Sequence, residues 1–445
     1  MVTLESGTIV TSLDPPRVER GNVVVGDGRV VEVSEASLSS ADRDDDVIDC
    51  SGCIVIPGNV CAHHHLYSAL ARGMPYDLAP PEDFVQILQR IWWRLDRALD
   101  EPSNRASALT GGADALLAGT TTIVDHHASP NEIEGQLDVI GGALSELGAR
   151  SVLCYEVTDR DGAECAEAGL AENRRHVEGG TGALVRGMVG AHASFTLGDE
   201  TLEACVGLAR ELDVGIHIHV AEDAADEADA LARAGERVIG RLADAGAIGE
   251  RTLLAHCVHV DASELEAIDA GGATVVHNAR SNMNNRVGHA PVGEFGRLAL
   301  GTDGIDGDMF AESRAAFWRG RESGASAGPG WILGALAGSA RFAGACFGEP
   351  LLGTIEAGAP ADLVVLDYDP PTSLGADNLA AHWAYGFTSR LVRDVLVAGE
   401  VVVRDRALTR ADVHEIRALA RPQAARVWAR VERLPAHPFE PAGVA

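Results

Sequence analysis

The strongest constraint on how this chain can fold is a periodic one. From about residue 57 to about residue 353, short apolar runs alternate with Ala/Glu/Arg/Leu-rich helical stretches, and most runs close on a histidine or an acid. They end in Cys61-Ala62-His63, Thr122-Ile123-Val124-Asp125-His126, Val152-Leu153-Cys154-Tyr155-Glu156, Val189-Gly190-Ala191-His192, Ile216-His217-Ile218-His219, Leu253-Leu254-Ala255-His256, Thr274-Val275-Val276-His277 and Leu298-Ala299-Leu300-Gly301-Thr302-Asp303, eight in all. Repeated strand–helix units predict a parallel sheet, and eight of them predict an α/β fold of the (β/α)8 TIM-barrel type. Polar residues at the C-terminal ends of such strands lie where barrel active sites are built.

The flanks have a different texture. Gly21-Asn22-Val23-Val24-Val25-Gly26-Asp27-Gly28-Arg29-Val30-Val31 reads as a hairpin, and β-branched runs return in Ala361–Leu366 and Val392–Val403. We expect residues 57–353 to form the barrel, and residues 1–56 and 354–445 to form one small β-sandwich domain with a helical tail. Between the first and second barrel strands runs a long connection, 66–100, with a Pro80-Pro81 break and an amphipathic stretch carrying Trp92-Trp93. Connections of this length act as lids or substrate caps, so the tryptophans either pack the lid down or meet a ligand.

The net charge of −30 repels phosphate backbones and anionic lipid. The expected partner is a small molecule, with no nucleic acid and no membrane. All 36 basic residues are arginine; without a lysine amine, Schiff-base and pyridoxal phosphate chemistry, Walker-type phosphate loops and lysine-carbamate metal bridges are excluded. The eight cysteines sit in apolar stretches as reduced thiols would, and the lone Cys50-x-x-Cys53 pair lacks a second pair to complete a zinc site. With no membrane-length apolar run and no secretory signal at the start, we expect a cytoplasmic protein.

The densest chemical signal is His63-His64-His65. Residues two apart on a strand share a face, so His63 and His65 can converge on one point while His64 looks away. His217-Ile218-His219 offers another same-face pair, and Asp303 ends the last strand with a carboxylate. Singly, each is more often a hydrogen-bonded core residue than a ligand. Together, at one edge of a barrel, they are difficult to explain by packing; two imidazoles on one point make half of a metal site, and a catalytic site keeps a position for water.

These residues resemble the amidohydrolase superfamily, and within it the TRZ/ATZ-type aminohydrolases. The motifs are Pro57-Gly58-x-Val60-x-x-His63-x-His65, His217-Ile218-His219-Val220-Ala221-Glu222, Leu254-Ala255-His256, Val276-His277-Asn278-x-x-Ser281-Asn282 and Leu300-Gly301-Thr302-Asp303-Gly304, in family order across nearly the whole chain. Trp92-Trp93-Arg94-Leu95-Asp96, Asp125-His126-His127 and Tyr155-Glu156-Val157-Thr158-Asp159-Arg160 are similar to the SsnA-type group. The resemblance implies metal ligands His63, His65, His219 and Asp303, with His217 deeper and structural. It implies catalytic roles for Glu222 as proton shuttle, His256 as polarising group, and Asp303 as ligand and base. His192, Asn282, Trp92 and His127 are the substrate-side candidates, and His289 sits where it could reshape the pocket. One divalent metal per chain is expected, Zn2+ by ligand type with Fe2+ or Mn2+ as alternatives, in a homo-oligomer, a dimer by default.

The implied reaction is hydrolytic deamination of an amino-substituted N-heterocycle of purine, pterin, pyrimidine or triazine type. Ring-opening hydrolysis of a cyclic amide or imide uses the same machinery, and a non-catalytic metal- or ligand-binding barrel is the reading from outside enzymology. The signatures of cytidine-deaminase-fold enzymes and of HExxH zincins are absent. Gly324-Ala325-Ser326-Ala327-Gly328 matches a nucleophile elbow in letters only, because a helical stretch precedes it.

Overall fold

The structure is a computed structural model that describes residues 1–34, 46–180, 182–324 and 328–443. Ser326 therefore lies outside the described residues; the element before it is the helix Met309–Ser323, not a strand. The apolar runs form eight parallel strands: Asn59–His64, Thr120–His127, Arg150–Val157, Val189–Ala193, Ile216–Val220, Leu253–His256, Thr274–His277 and Leu298–Leu300. Each pairs with its neighbour in chain order. The last strand returns to the first through the amides of Thr302 and Asp303, which donate to the His63 carbonyl at 2.9 and 3.1 Å, and through a parallel bridge between His64 and Asp303. The (β/α)8 expectation is met.

Inside the barrel, Ala62, Val124, Val152, Met188, Leu253, Val276 and Ala299 pack into one apolar cluster. The next inward positions toward the strand C-termini are imidazoles. His63, His126, His217 and His256 are fully buried, with the His126 and His217 rings 4.6 Å apart and the His63 and His217 rings 4.9 Å apart. One end of the barrel is thus hydrocarbon and the other polar.

The two chain ends assemble into one mixed sheet of nine strands, which joins Val2–Leu13 and Ile54–Pro57 from the start of the chain to Leu363–Leu366 and Val392–Val397 from its end. Strand alternation gives this sheet two apolar faces. Leu363 and Val365 pack with Leu4, Ile9 and Val23, while Val364 and Leu366 join the core shared with the barrel helices. Cys50 and Cys53 are buried free thiols in this β domain, and burial pushes the Cys50 thiol up to about 12. Arg150, at the start of the third barrel strand, pins the sheet to the barrel through Asp362 at 2.8 and 3.0 Å.

After the sheet, the helix Val413–Val431 packs over Glu101–Leu117. The tail beyond it reaches the long connection: the Gln89 side chain donates to the Phe439 carbonyl at 2.8 Å, and Arg94 donates to the carbonyls of Val431 and Leu434. Among the described residues, no helix is long and apolar enough to cross a membrane.

Arg150 and Asp362 are both almost fully enclosed, with side-chain exposures of 5% and 2%. Asp362→Ala would leave the guanidinium buried without its partner. We expect a loss of about 3–5 kcal/mol, read as a lower midpoint in urea unfolding.

Candidate active site

The first barrel strand turns His63 and the following His65 inward, while the His64 Nδ1 bonds the Thr302 hydroxyl at 2.8 Å on the other side. His65 Nε2 lies 3.1 Å from His219 Nε2 and 3.0 Å from Asp303 Oδ1, and His63 Nε2 lies 3.3 Å from the same carboxylate oxygen. One donor atom from each of His63, His65, His219 and Asp303 falls within 4.8 Å of all the others.

What stands behind these rings decides which nitrogen faces the centre. His65 Nδ1–H donates to the His126 carbonyl at 2.6 Å, and His219 Nδ1–H to the His192 carbonyl at 2.7 Å. In its neutral form each ring then presents a bare Nε2 lone pair inward, the tautomer a metal needs; burial would lower His65, but the Asp303 carboxylate beside it outweighs burial and raises that imidazole to about 9, a proton that a cation would displace. His63 Nδ1 meets His217 Nε2 at 2.8 Å, so His217 braces a ligand from below instead of supplying one. Burial holds His63, His217 and His219 well below the ordinary imidazole value, in the neutral form. His63 Nε2 is buried without a hydrogen-bond partner. Three imidazole lone pairs and a carboxylate converging around an unpartnered nitrogen fit a divalent cation.

Beside this cluster stands a second group, formed by Glu222, His256 and Asp303. The Glu222 carboxylate is 3.5 Å from His256 Nε2 and accepts from the Asn285 amide at 3.1 Å. His256 Nδ1–H donates to Asn282 Oδ1 at 2.7 Å, which leaves its Nε2 free toward Glu222. Burial pushes the Glu222 carboxyl up to about 7, against the pull of nearby His256, so it can both take and give a proton near neutrality. Asp303 Oδ2 accepts the Ser281 hydroxyl. His256 (φ 77°) and Asp303 (φ 51°) both adopt left-handed backbone, a cost of about 1–3 kcal/mol each that points their side chains inward from the strand ends.

The cavity above is walled by Phe84, Leu88, Trp92 and Trp93 from the long connection and by His192 and Phe195 from the fourth strand's end. A π-helical turn, Leu88–Trp92, sits between the helical segments Phe84–Ile87 and Trp93–Asp96. Trp92 and Trp93 both border the cavity, so they serve as wall as well as lid packing.

The Amidohydrolase family model matches residues 54–402. The chain belongs to the amidohydrolase family. Over 441 residues it is 32% identical to the 5-methylthioadenosine/S-adenosylhomocysteine deaminase of Halobacterium salinarum, covering 94% of this chain and 99% of that one. The 8-oxoguanine deaminase of Pseudomonas aeruginosa is 31% identical over 376 residues, 78% of this chain and 82% of its own length. Among solved structures, a zinc-bound adenosine deaminase from Xanthomonas campestris superposes with a TM-score of 0.84 at 26% identity, covering 96% of this chain and 98% of that one.

This amidohydrolase is accordingly a hydrolase of C–N bonds other than peptide bonds, in a family that works with a divalent metal. Its structure brings together all six residues expected at the metal and in the proton machinery. Two substrate-side expectations change. Asn282 does not border the cavity: it is spent on fixing the His256 ring from behind. His127 is also enclosed away from it, bonded to Ser129 Oγ at 2.9 Å between Tyr67 and Tyr155. His192 and Trp92 do line the wall, and His289 instead packs on His277 at 5.4 Å. Asn285, Asp96 and Glu156 border the cavity unforeseen.

His217 reaches the metal donors through its hydrogen bond to His63. We expect His217→Phe to weaken divalent-metal binding about 10–100-fold, measured by competition with a chelator, because the ring behind a ligand fixes its orientation and basicity. An unchanged affinity would remove His217 from the site.

Proposed function

We propose that this protein hydrolytically deaminates an amino-substituted N-heterocycle, using one zinc ion per chain. The observation that carries the reading is the pairing of Glu222 and His256 at the edge of the His63–His65–His219–Asp303 donor set. A site that only bound metal would have no use for a carboxyl poised near neutrality beside it. A divalent ion on those four donors supplies the Lewis acidity that lowers the pKa of a water to about 7.

The protein's own groups then account for the protons. Water adds to the ring carbon that bears the amine. Glu222 takes a proton and passes it to the adjacent ring nitrogen, while His256, carrying a proton on Nε2 as well as on Nδ1 in this step, donates to the oxygen that becomes the product carbonyl. Asp303 collects the second proton of the water and hands it to the amine, which leaves as ammonia. Trp92, Trp93, Phe84 and Phe195 supply apolar walls for a flat ring and exclude competing water. Relatives named for deamination of adenosine derivatives and of 8-oxoguanine support a purine-like substrate. The same reading makes the enzyme a cytoplasmic homodimer acting on a small molecule, in keeping with a net charge of −30.

Glu222→Gln keeps the shape of the side chain but cannot carry a proton. We expect it to retain one metal per chain by elemental analysis and to lower kcat for ammonia release from aminopurines about 10²–10⁴-fold. Full activity in that variant would sink the assignment.

A further inference from the structure

The wall of the cavity on the His65 and His219 side has a chemistry that the proposed reaction leaves unused. His192, Glu156 and Asp96 meet there, each from a different element. His192 Nδ1 lies 2.6 Å from Thr196 Oγ1, and the Thr196 hydroxyl donates to the Ala193 carbonyl at 3.1 Å. A hydroxyl has one hydrogen to give, so Thr196 accepts from His192 Nδ1–H. The neutral His192 ring therefore turns a bare Nε2 lone pair into the cavity, 3.7 Å from Glu156 Oε1.

Glu156 adds acceptors only. Its charge is matched from behind by Arg160 Nη1 at 2.8 Å, and His126 Nδ1 lies 3.2 Å from its other oxygen. Arg160 is itself held by Asp96 at 2.9 Å and lies over the Trp93 ring at 5.3 Å, so the set is rigid and ties the lid to the third strand. Asp96 is 1% exposed, borders the same cavity, and its Oδ1 has no hydrogen-bond partner. Two lone-pair groups 3.7 Å apart repel each other unless a donor comes between them. Glu156 and His192 belong to the third and fourth barrel strands, whereas His256 ends the sixth and Asp303 follows the eighth, so the two groups reach the cavity from different sides of the barrel.

We propose that Glu156, with His192 Nε2 beside it, selects substrates that present a hydrogen-bond donor, a ring N–H or a second amino group, on the edge remote from the scissile amine. The substrate class is then an oxo- or amino-oxo-purine or pteridine base, and rings that show only lone pairs on that edge are rejected. This rests on the reading of the protein as a deaminase.

The test uses the full-length, metal-loaded enzyme and two ligands with no amine to lose: xanthine, and theophylline, its dimethyl analogue lacking both pyrimidine N–H groups. Binding is read by quenching of tryptophan fluorescence, since Trp92 and Trp93 border the cavity. Wild type is expected to bind xanthine at least about tenfold more tightly than theophylline, because a hydrogen bond to a charged group is worth that or more. Glu156→Gln, which replaces one acceptor by a donor at constant size, is expected to erase the preference by weakening xanthine alone. Xanthine bound no more tightly than theophylline by wild type, binding of neither included, overturns the proposal, as does an unchanged preference in a folded Glu156→Gln. Should that variant fail to fold, judged by its melting, the wild-type preference decides alone. Ammonia release from aminopurines by the same preparation reports separately on the deaminase reading: ammonia without a xanthine preference sinks only this inference, and a preference without ammonia sinks the reaction.

Discussion

The barrel closes where its chemistry sits. The amides of Thr302 and Asp303 donate to the His63 carbonyl, and these bonds, with the His65 amide donating to the Asp303 carbonyl at 3.4 Å, join the eighth strand to the first. They also set the Asp303 carboxylate against the inward rings of His63 and His65, at 3.3 and 3.0 Å. Gly301 is required at the seam, because a Cβ there would lie 2.8 Å from the His63 backbone nitrogen. Fold closure and ligand geometry are therefore one constraint: moving the strand pairing by one residue would turn His63 and His65 away from the centre.

Around that seam the structure buries an unusual quantity of imidazole. Burying polar groups is tolerated when each is paired. Here the pairing follows a rule, in which Nδ1 of His65, His219, His192 and His256 is occupied by a carbonyl, a hydroxyl or an amide oxygen. The Nε2 atoms are left for the cavity. Backbone carbonyls for His65 and His219, and side-chain oxygens for His192 and His256, thus set these four tautomers before any ligand arrives, which is the meaning of preorganisation at this site. Arg160 does the same for charge, since the Glu156 carboxylate can stay ionised in the cavity wall only because a guanidinium backs it, while burial pushes the neighbouring Asp96 carboxyl well above its ordinary value.

Much of this was legible in the sequence, because two short-range rules carry it. Alternation along a strand put His63 and His65 on one face, and apolar runs closing on polar residues located all eight strand ends. Those rules do not reach the helices that follow the strands. Asn282 and Asn285 lie on one short helix, Ala279–Asn285; the first reaches His256 and the second reaches Glu222, and only the placement of that helix distinguishes them. Glu156 closes the third strand as His126 closes the second, yet its importance depends on Asp96, which is brought to it from another element. The docking of Phe439 against Gln89 spans 350 residues of chain and has no local signature. The same holds for the two chain ends, whose β texture was evident but whose joining into one sheet depends on pairing between Ile54–Pro57 and Leu363–Leu366.

The most direct measurement is a crystal structure of the metal-loaded protein with anomalous diffraction collected at the zinc edge. The account requires a single strong peak per chain at about 2.0–2.2 Å from His63 Nε2, His65 Nε2, His219 Nε2 and an Asp303 oxygen. No peak there, or a peak held instead by Glu156, His192 and His126, would contradict it.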